Sequence, residues 1–136
     1  MIEITDKPIE VQTMVDAVSN TGAGAINIFI GTVRDTSKAK KVLWLEYEAY
    51  EIMAVAEIKK IIDEASLCWP IIGCAVSHRV GIVKPGEVAV IAVVSSPHRK
   101  ESFTACQFII DNLKAKVPIW KKEVFEGGEE WISSTP

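Results

Sequence analysis

The sequence contains few of the residues that build disulfide frameworks or metal centres. Its three cysteines, Cys68, Cys74 and Cys106, form no CxxC pair, and only two histidines are present. An odd number of scattered cysteines is not typical of a disulfide scaffold, and their spacing is not that of a zinc site. We therefore expect free, buried or incidental thiols, no metal site, and the reducing environment of the cytoplasm.

Long apolar runs and an excess of basic charge are also missing. No apolar stretch approaches the ~20 residues that span a bilayer, and residues 1–6 lack the basic and apolar regions of a signal peptide. The net charge is −3 at pH 7, which does not favour general attraction to nucleic acid or to an acidic membrane. We expect neither as a partner, so any anion site must come from a local cluster of cations.

The composition is that of a globular protein with a generous core. Of the 136 residues, 49% are hydrophobic and 24% are charged, which predicts a single domain over residues 1–136. Apolar periodicity predicts elements in the order βαββαββαβ. This order is typical of an α+β fold with helices packed on a mixed, largely antiparallel sheet.

The pattern also predicts local features of these elements. Asp6 has the short acceptor side chain of a helix N-cap, and residues 35–41 are polar and lysine-rich, like an exposed, mobile loop. Leu43 and Leu45 occupy alternate positions of a strand and are expected on its buried face. The third helix has a predicted buried stripe that consists of Phe103, Cys106, Ile110, Leu113 and Val117.

Cationic side chains cluster in the last third of the sequence. His98 and Arg99 follow a hydrophobic strand and open a helix, where free backbone N–H groups and the helix dipole favour an anion. Lys114 and Lys121 flank Pro118, which reverses the chain, so both amines are expected to converge on one pocket. Burial or a neighbouring cation lowers the pKa of a lysine and makes it a useful base. The cluster predicts a site that binds a phosphate and supplies an amine.

Each of these residues alone also has a plain structural explanation. Lys114 lies on a polar helix face and can pair with Asp111, and a lysine such as Lys121 at a strand edge opposes aggregation. Arg34 follows Gly-Thr-Val at a strand end beside a loop, while His78 is expected to be structural. Only the residues taken together therefore indicate a site.

Five segments of the sequence carry a resemblance to a known family. They are residues 24–34, 45–54, 78–87, 94–99 and 113–123. The most specific parts are Ser-Ser-Pro-His-Arg in the fourth segment and Leu-Lys-Ala-Lys-Val-Pro-Ile-Trp-Lys-Lys-Glu in the fifth. In order and spacing these segments resemble the large, catalytic subunits of molybdopterin synthase, and the likeness covers nearly the whole chain.

The resemblance implies an α/β hammerhead-type fold and a sulfurtransferase of molybdenum cofactor biosynthesis. The implied reaction adds two sulfurs to cyclic pyranopterin monophosphate and so forms molybdopterin. The sulfur would come from the thiocarboxylated C-termini of a small ubiquitin-like carrier that ends in Gly-Gly, so no cofactor would be needed. The implied assembly is a heterotetramer, in which a homodimer of this chain binds two carriers.

The resemblance also implies the roles of individual residues. Lys114 and Lys121 would be the catalytic lysines. Because a Gly-Gly tail is thin, it needs a narrow channel, and Phe29, Ile119 and Trp120 are candidate walls. The implied substrate-binding residues are Thr32, Val33, Arg34, His98, Arg99, Lys114, Lys121, Lys122 and Glu123.

One feature departs from the family, and one alternative function stays open. Family members often carry a basic residue shortly after the tail tryptophan that reaches the partner subunit's pocket, but residues 132–136, after Trp131, include none. The alternative is a non-catalytic, dimeric regulatory module that binds an anion or a nucleotide. It accounts for Arg34, His98 and Arg99, but not for two lysines that bracket Pro-Ile-Trp.

Overall fold

The computed structural model describes residues 1–132, which form nine strands and three helices. Every predicted helix and strand is present, and three short strands (β3, β6 and β9) are additional. None of the helices in this range is both long and apolar enough to cross a membrane. The elements are β1 Ile2–Thr5, α1 Val11–Val18, β2 Ala25–Thr32, β3 Thr36–Ser37, β4 Lys40–Ala49, α2 Glu51–Cys68, β5 Gly73–Arg79, β6 Gly81–Val83, β7 Val88–Ser96, α3 Arg99–Lys116, β8 Ile119–Phe125 and β9 Gly128–Ile132.

The first sheet has the strand order β1-β5-β7-β2, and helices pack on both of its faces. Strand β1 is parallel to β5, and the other pairs are antiparallel. Helix α1 packs Met14 and Val18 on one face of the sheet, against Ile91 and Val93. Helices α2 and α3 bury the other face. Because β7 is covered on both faces, its sequence is an almost continuous apolar run, as in other doubly covered strands.

The second sheet has five strands and is antiparallel, and β4 is its central strand. Strand β8 pairs with one edge of β4, while β3 and β6 pair with the other, and β9 adds to β8. A separate small core of Val33, Val42, Leu45, Val83 and Ala89 lies where this sheet meets the ends of β2 and β7. Helices on a mixed, largely antiparallel pair of sheets make this an α+β fold, as predicted.

The predicted loop at residues 35–41 is a β-hairpin. Strand β3 pairs with the start of β4, with Thr36 opposite Lys41 and Ser37 opposite Lys40. Lys38 and Ala39 join them with φ values of 51° and 64°. Positive φ at both central residues is the geometry of a type I′ turn, which matches the twist of two paired strands.

Three further local predictions were wrong. Helix α1 begins at Val11, and its N-cap Glu10 makes no side-chain capping bond, so Asp6 does not cap it. Leu43 is 37% exposed because the pairing of β4 with β8 shifts register between Val42 and Trp44. Such a bulge inserts one unpaired residue and turns it away from the buried face. Phe103 is 60% exposed, because no element covers that side of α3.

Candidate active site

A cavity of about 390 Å³ lies between the two sheets, beside the start of β7. Its size is within the usual range for small-molecule sites. Strands β2, β4, β5 and β8 and helix α3 all contribute side chains. The lining residues are Phe29, Gly31, Thr32, Val33, Arg34, Thr36, Val42, Leu45, Tyr47, His78, Ala89, Val90, Ile110, Leu113, Lys114, Ile119, Lys121 and Glu123.

Three cations from separate elements form one wall of this cavity. Arg34 follows β2, and its neighbour Val33 is held by backbone hydrogen bonds of 3.0 and 2.8 Å to Glu87 and Gly86. Lys114 comes from the end of α3, and its Nζ lies 5.9 Å from the centre of the Phe29 ring. Lys121 comes from β8 and is half-buried. The predicted convergence of these three residues is therefore what the structure shows.

Lys121 has the electrostatics of a candidate base. Burial is the largest cause that lowers its pKa, because a buried ammonium loses hydration. The positive charges of Lys114 and Arg34 lower its pKa further, while the Glu123 carboxylate acts against them. The cavity therefore increases the fraction of Lys121 that is present as the neutral amine.

Glu123 gives the cavity a buried carboxylate close to the lysine. It is 6% exposed, and the Ser37 hydroxyl donates a 3.1 Å hydrogen bond to its Oε1. Thr32 and Val33, also predicted for substrate binding, line the cavity near Arg34. A hydrogen-bonded carboxylate among cations can accept N–H donors from a ligand.

Lys122, predicted to bind substrate, lies on the other face of β8. Successive side chains of a strand point to opposite faces, so Lys122 points away from the cavity. Its Nζ is 2.9 Å from Oε2 of Glu46 and 3.4 Å from Oε2 of Glu129. Trp120, predicted as a channel wall, shares this outer face and packs edge-on against Tyr50 at 4.9 Å. Phe29 and Ile119, the other predicted walls, do line the cavity.

His98 and Arg99 are not part of the cavity within one chain. They follow the C-terminal end of β7, while the cavity lies at its N-terminal end near Val90. From Val90 to Ser96, a strand rising ~3.3 Å per residue covers roughly 20 Å. The prediction that all five cations meet in one pocket therefore fails for a single chain. Of the residues after Trp131, 133–136 lie outside the described part.

Two cavity residues, Tyr47 and His78, were not predicted to belong to a site. Their rings contact edge to face, with centroids 5.0 Å apart and an interplanar angle of 69°. Burial raises the pKa of Tyr47 to about 12, helped by the charge of Glu123. Burial lowers the pKa of His78 to about 4. The alternation of β4 could have indicated Tyr47, but only the tertiary fold brings His78 beside it.

The cysteines lie away from this chemistry. None of the three lines the cavity, and all are free thiols. Burial raises the pKa of Cys74 to about 12 and that of Cys106 to about 11, so neither is a ready thiolate. Within residues 1–132, no group of three or more histidine, cysteine or acidic side chains is placed to hold a metal ion.

An α+β domain with a cavity lined by Arg34, Lys114 and Lys121 has clear relatives among known proteins. Residues 4–116 match the family described as MoaE protein. The chain is 46% identical over 130 residues to the molybdopterin synthase catalytic subunit of Bacillus subtilis (strain 168), a match that covers 96% of this chain and 83% of that protein. It is 44% identical over 131 residues to the Homo sapiens protein of the same name, covering 96% and 70% respectively.

A solved structure agrees with these sequence matches. The crystal structure of molybdopterin synthase from Staphylococcus aureus superimposes with a TM-score of 0.92 at 40% identity, covering 96% of this chain and 95% of that one. The chain therefore belongs to the MoaE protein family. Its predicted fold and its predicted class, a molybdopterin synthase catalytic subunit of molybdenum cofactor biosynthesis, are confirmed.

Proposed function

We propose that this cavity transfers sulfur from the thiocarboxylated C-terminus of a small ubiquitin-like carrier to cyclic pyranopterin monophosphate. The observation that carries the proposal is the convergence of Arg34, Lys114 and Lys121 on one cavity. The substrate carries a phosphate and the sulfur donor ends in an anionic thiocarboxylate. Two anions repel each other unless cations surround both, and this wall supplies those cations.

The cations divide the work by their chemistry. The guanidinium of Arg34 suits bidentate binding of the substrate phosphate. Lys114, at the exposed end of the wall, attracts the thiocarboxylate as it enters. Lys121, with its lowered pKa, accepts and returns protons as sulfur adds and the cyclic phosphate opens.

Each transfer forms a carbon–sulfur bond on the substrate and breaks a carbon–oxygen bond there. At one carbon the leaving group is the oxygen of the opening cyclic phosphate, and at the other the oxygen leaves as water. The acyl carbon–sulfur bond of the carrier breaks as one water molecule adds to the acyl carbon. The carrier leaves as a carboxylate, and two such transfers give the dithiolene of molybdopterin. Because the sulfur arrives on the carrier, the proposal needs no cysteine, metal or resident cofactor from this chain.

A twofold dimer would explain how His98 and Arg99 take part. Strand β2 is an edge strand. It begins opposite Ser96, close to His98, and ends at Thr32 beside the cavity. Packing two β2 strands antiparallel about a twofold axis would place His98 and Arg99 of one copy at the cavity of the other. The exposed face of β2 carries a row of isoleucines at positions 26, 28 and 30, each 40–42% exposed, which supports an apolar contact there.

The partners and location follow from this proposal. The carrier's Gly-Gly tail would enter between Phe29 and Ile119, and two carriers on the dimer would give a heterotetramer. We place the reaction in the cytoplasm, consistent with three free cysteines. A regulatory module that only binds an anion would not need a half-buried lysine with a lowered pKa, so no observation favours that alternative.

Reconstitution tests the proposal directly. The chain is mixed with cyclic pyranopterin monophosphate and the thiocarboxylated carrier, and molybdopterin is measured. The matched control is a carrier that lacks its two terminal glycines, whose globular body still docks. We expect product with the full carrier and none with the truncated one. Full transfer by the truncated carrier would contradict a mechanism in which the tail enters the cavity.

A further inference from the structure

The cavity also has a neutral polar side, which the sulfur-transfer proposal does not use. It consists of Tyr47 from β4 and His78 from β5, whose rings contact edge to face at 5.0 Å. Tyr47 is the partner of Lys121 across the β4–β8 pair, and side chains opposite each other on paired strands lie on the same face of the sheet. The two rings therefore adjoin the cationic wall.

The contacts of His78 fix the role of each ring nitrogen. Nδ1 lies 2.7 Å from the carbonyl oxygen of Arg79. A carbonyl can only accept, so Nδ1 carries the proton and donates it. In a neutral ring Nε2 is then an acceptor, and burial favours the neutral ring. The side chain is 6% exposed and lines the cavity.

The Tyr47 hydroxyl and the His78 Nε2 have no protein partner in the described part of the chain. Neither atom is among the polar atoms that are sealed from solvent without a hydrogen bond. Both are therefore accessible while most of each ring is buried. A polar atom in such a position is costly to leave unpaired when a ligand displaces its water, so a ligand that fills the cavity should pair with both.

We propose that Tyr47 and His78 form a donor–acceptor pair that binds the uncharged heterocycle of the substrate. The Tyr47 hydroxyl donates to a ring oxygen or nitrogen, and the His78 Nε2 accepts from a ring N–H. This assignment rests on the proposed function. It divides the site into a cationic wall for the phosphate and the thiocarboxylate, and a neutral pair for the pterin.

The chemistry of the pair favours the heterocycle over the other two ligands. Phosphate and thiocarboxylate oxygens are acceptors, and the lone pair of a neutral Nε2 repels them. A pterin offers both N–H donors and acceptors on one flat edge. The carrier tail also has N–H groups, so its binding must be measured separately.

Two histidine variants separate ligand binding from a structural role. In His78→Asn, the short amide can replace Nδ1 and keep the bond to Arg79, but nothing replaces Nε2. In His78→Gln, the longer amide can reach the position of Nε2, while the bond to Arg79 is lost. Tyr47→Phe removes only the hydroxyl and keeps the ring contact. Thermal unfolding of each variant checks that the fold is intact.

The dissociation constant of cyclic pyranopterin monophosphate is measured by calorimetry. Inorganic phosphate is added as a competitor for the phosphate position. The affinity for the carboxylate form of the carrier is measured separately. We expect Tyr47→Phe and His78→Asn to weaken substrate binding about five- to tenfold. His78→Gln should bind it nearly as wild type does. Competition by phosphate and affinity for the carrier should not change.

The opposite pattern would overturn the assignment. If His78→Gln loses affinity and His78→Asn does not, the role of His78 is structural. If the variants weaken the carrier and not the substrate, the pair binds the tail. If wild type binds the substrate and all three variants match it, only this inference fails. If wild type does not bind the substrate, the proposed function fails with it.

Discussion

Lys121 and Lys122 are consecutive in the sequence and lie on opposite faces of β8. Lys121 is opposite Tyr47 and lines the cavity, while Lys122 is opposite Glu46 and forms an ion pair with it at 2.9 Å. Burial lowers the pKa of Lys121, and the hydrogen bond to Glu46 raises the pKa of Lys122. Strand alternation thus gives one lysine the environment of a base and keeps the other as a structural cation.

This difference predicts a pH dependence of sulfur transfer. A base must be neutral, so the rate should rise with pH through the lowered pKa of Lys121 and level off above it. Lys121→Arg keeps the cation but removes the titrating amine, and we expect a rate lower by about 100-fold or more, without that rise. The measurement is kcat against pH for both proteins. An unchanged profile in the arginine variant would exclude Lys121 as the base.

The dimer proposal predicts complementation between two inactive variants. Lys121→Ala and Arg99→Ala should each lose transfer. In a mixed dimer, one site would combine the intact Lys121 of one copy with the intact Arg99 of the other. Random mixing should restore about a quarter of the wild-type rate, because half of the dimers are mixed and each has one complete site of two.

The control for this experiment is a mixture without subunit exchange, which should stay inactive. A mixture that exchanges subunits and still shows no activity would mean that Arg99 does not act on the cavity of the other copy.

Burial of His78 predicts a loss of stability in acid. The pKa is about 4 in the folded protein and about 6.5 in the unfolded chain. Its contribution is therefore complete above pH 6.5 and is lost as the pH falls towards 4, because only the unfolded state takes up the proton. This shift corresponds to about 3 kcal/mol. The free energy of unfolding is measured with urea at pH 7 and at pH 4. Between these two pH values, His78→Gln should lose less of it than wild type does, by about 3 kcal/mol. Equal losses in both proteins would contradict a neutral, buried ring.

Much of the fold could be predicted because its signals are local. The apolar runs of β2 and β7 and the stripe of α2 mark these elements without tertiary information. The short strands β3, β6 and β9 could not be predicted in this way, because segments of two to five residues show little periodicity and are stabilised by pairing with β4 or β8. The bulge between Val42 and Trp44 is likewise a property of the pair of strands, and it reversed the predicted orientation of Leu43.

The sequence predicted site residues correctly where a short reversal of the chain brings them together. It did not do so where an extended strand separates a residue from the cavity. Lys114 and Lys121 are separated by one reversal at Pro118, so their convergence followed from the sequence. His98 and Arg99 are close in sequence to Val90, but β7 is extended and carries them to its far end. The sequence pattern also did not reveal the His78–Tyr47 contact, which depends on two strands of different sheets.

If the lysine cavity is the site of sulfur transfer, its two lysines should matter for the reaction and a nearby lysine outside it should not. Lys114 and Lys121 line the cavity, while Lys116, two residues beyond Lys114, is exposed outside it. Each lysine is replaced by alanine in turn. Lys114→Ala should lose no more than about 1 kcal/mol of stability, because no core cavity forms.

The measurement is the single-turnover rate of molybdopterin formation from cyclic pyranopterin monophosphate and thiocarboxylated carrier. We expect Lys114→Ala and Lys121→Ala to lose about 100-fold or more in rate, and Lys116→Ala to retain the wild-type rate. A near-normal rate in either cavity variant, with the fold intact, would show that this cavity is not the site of sulfur transfer.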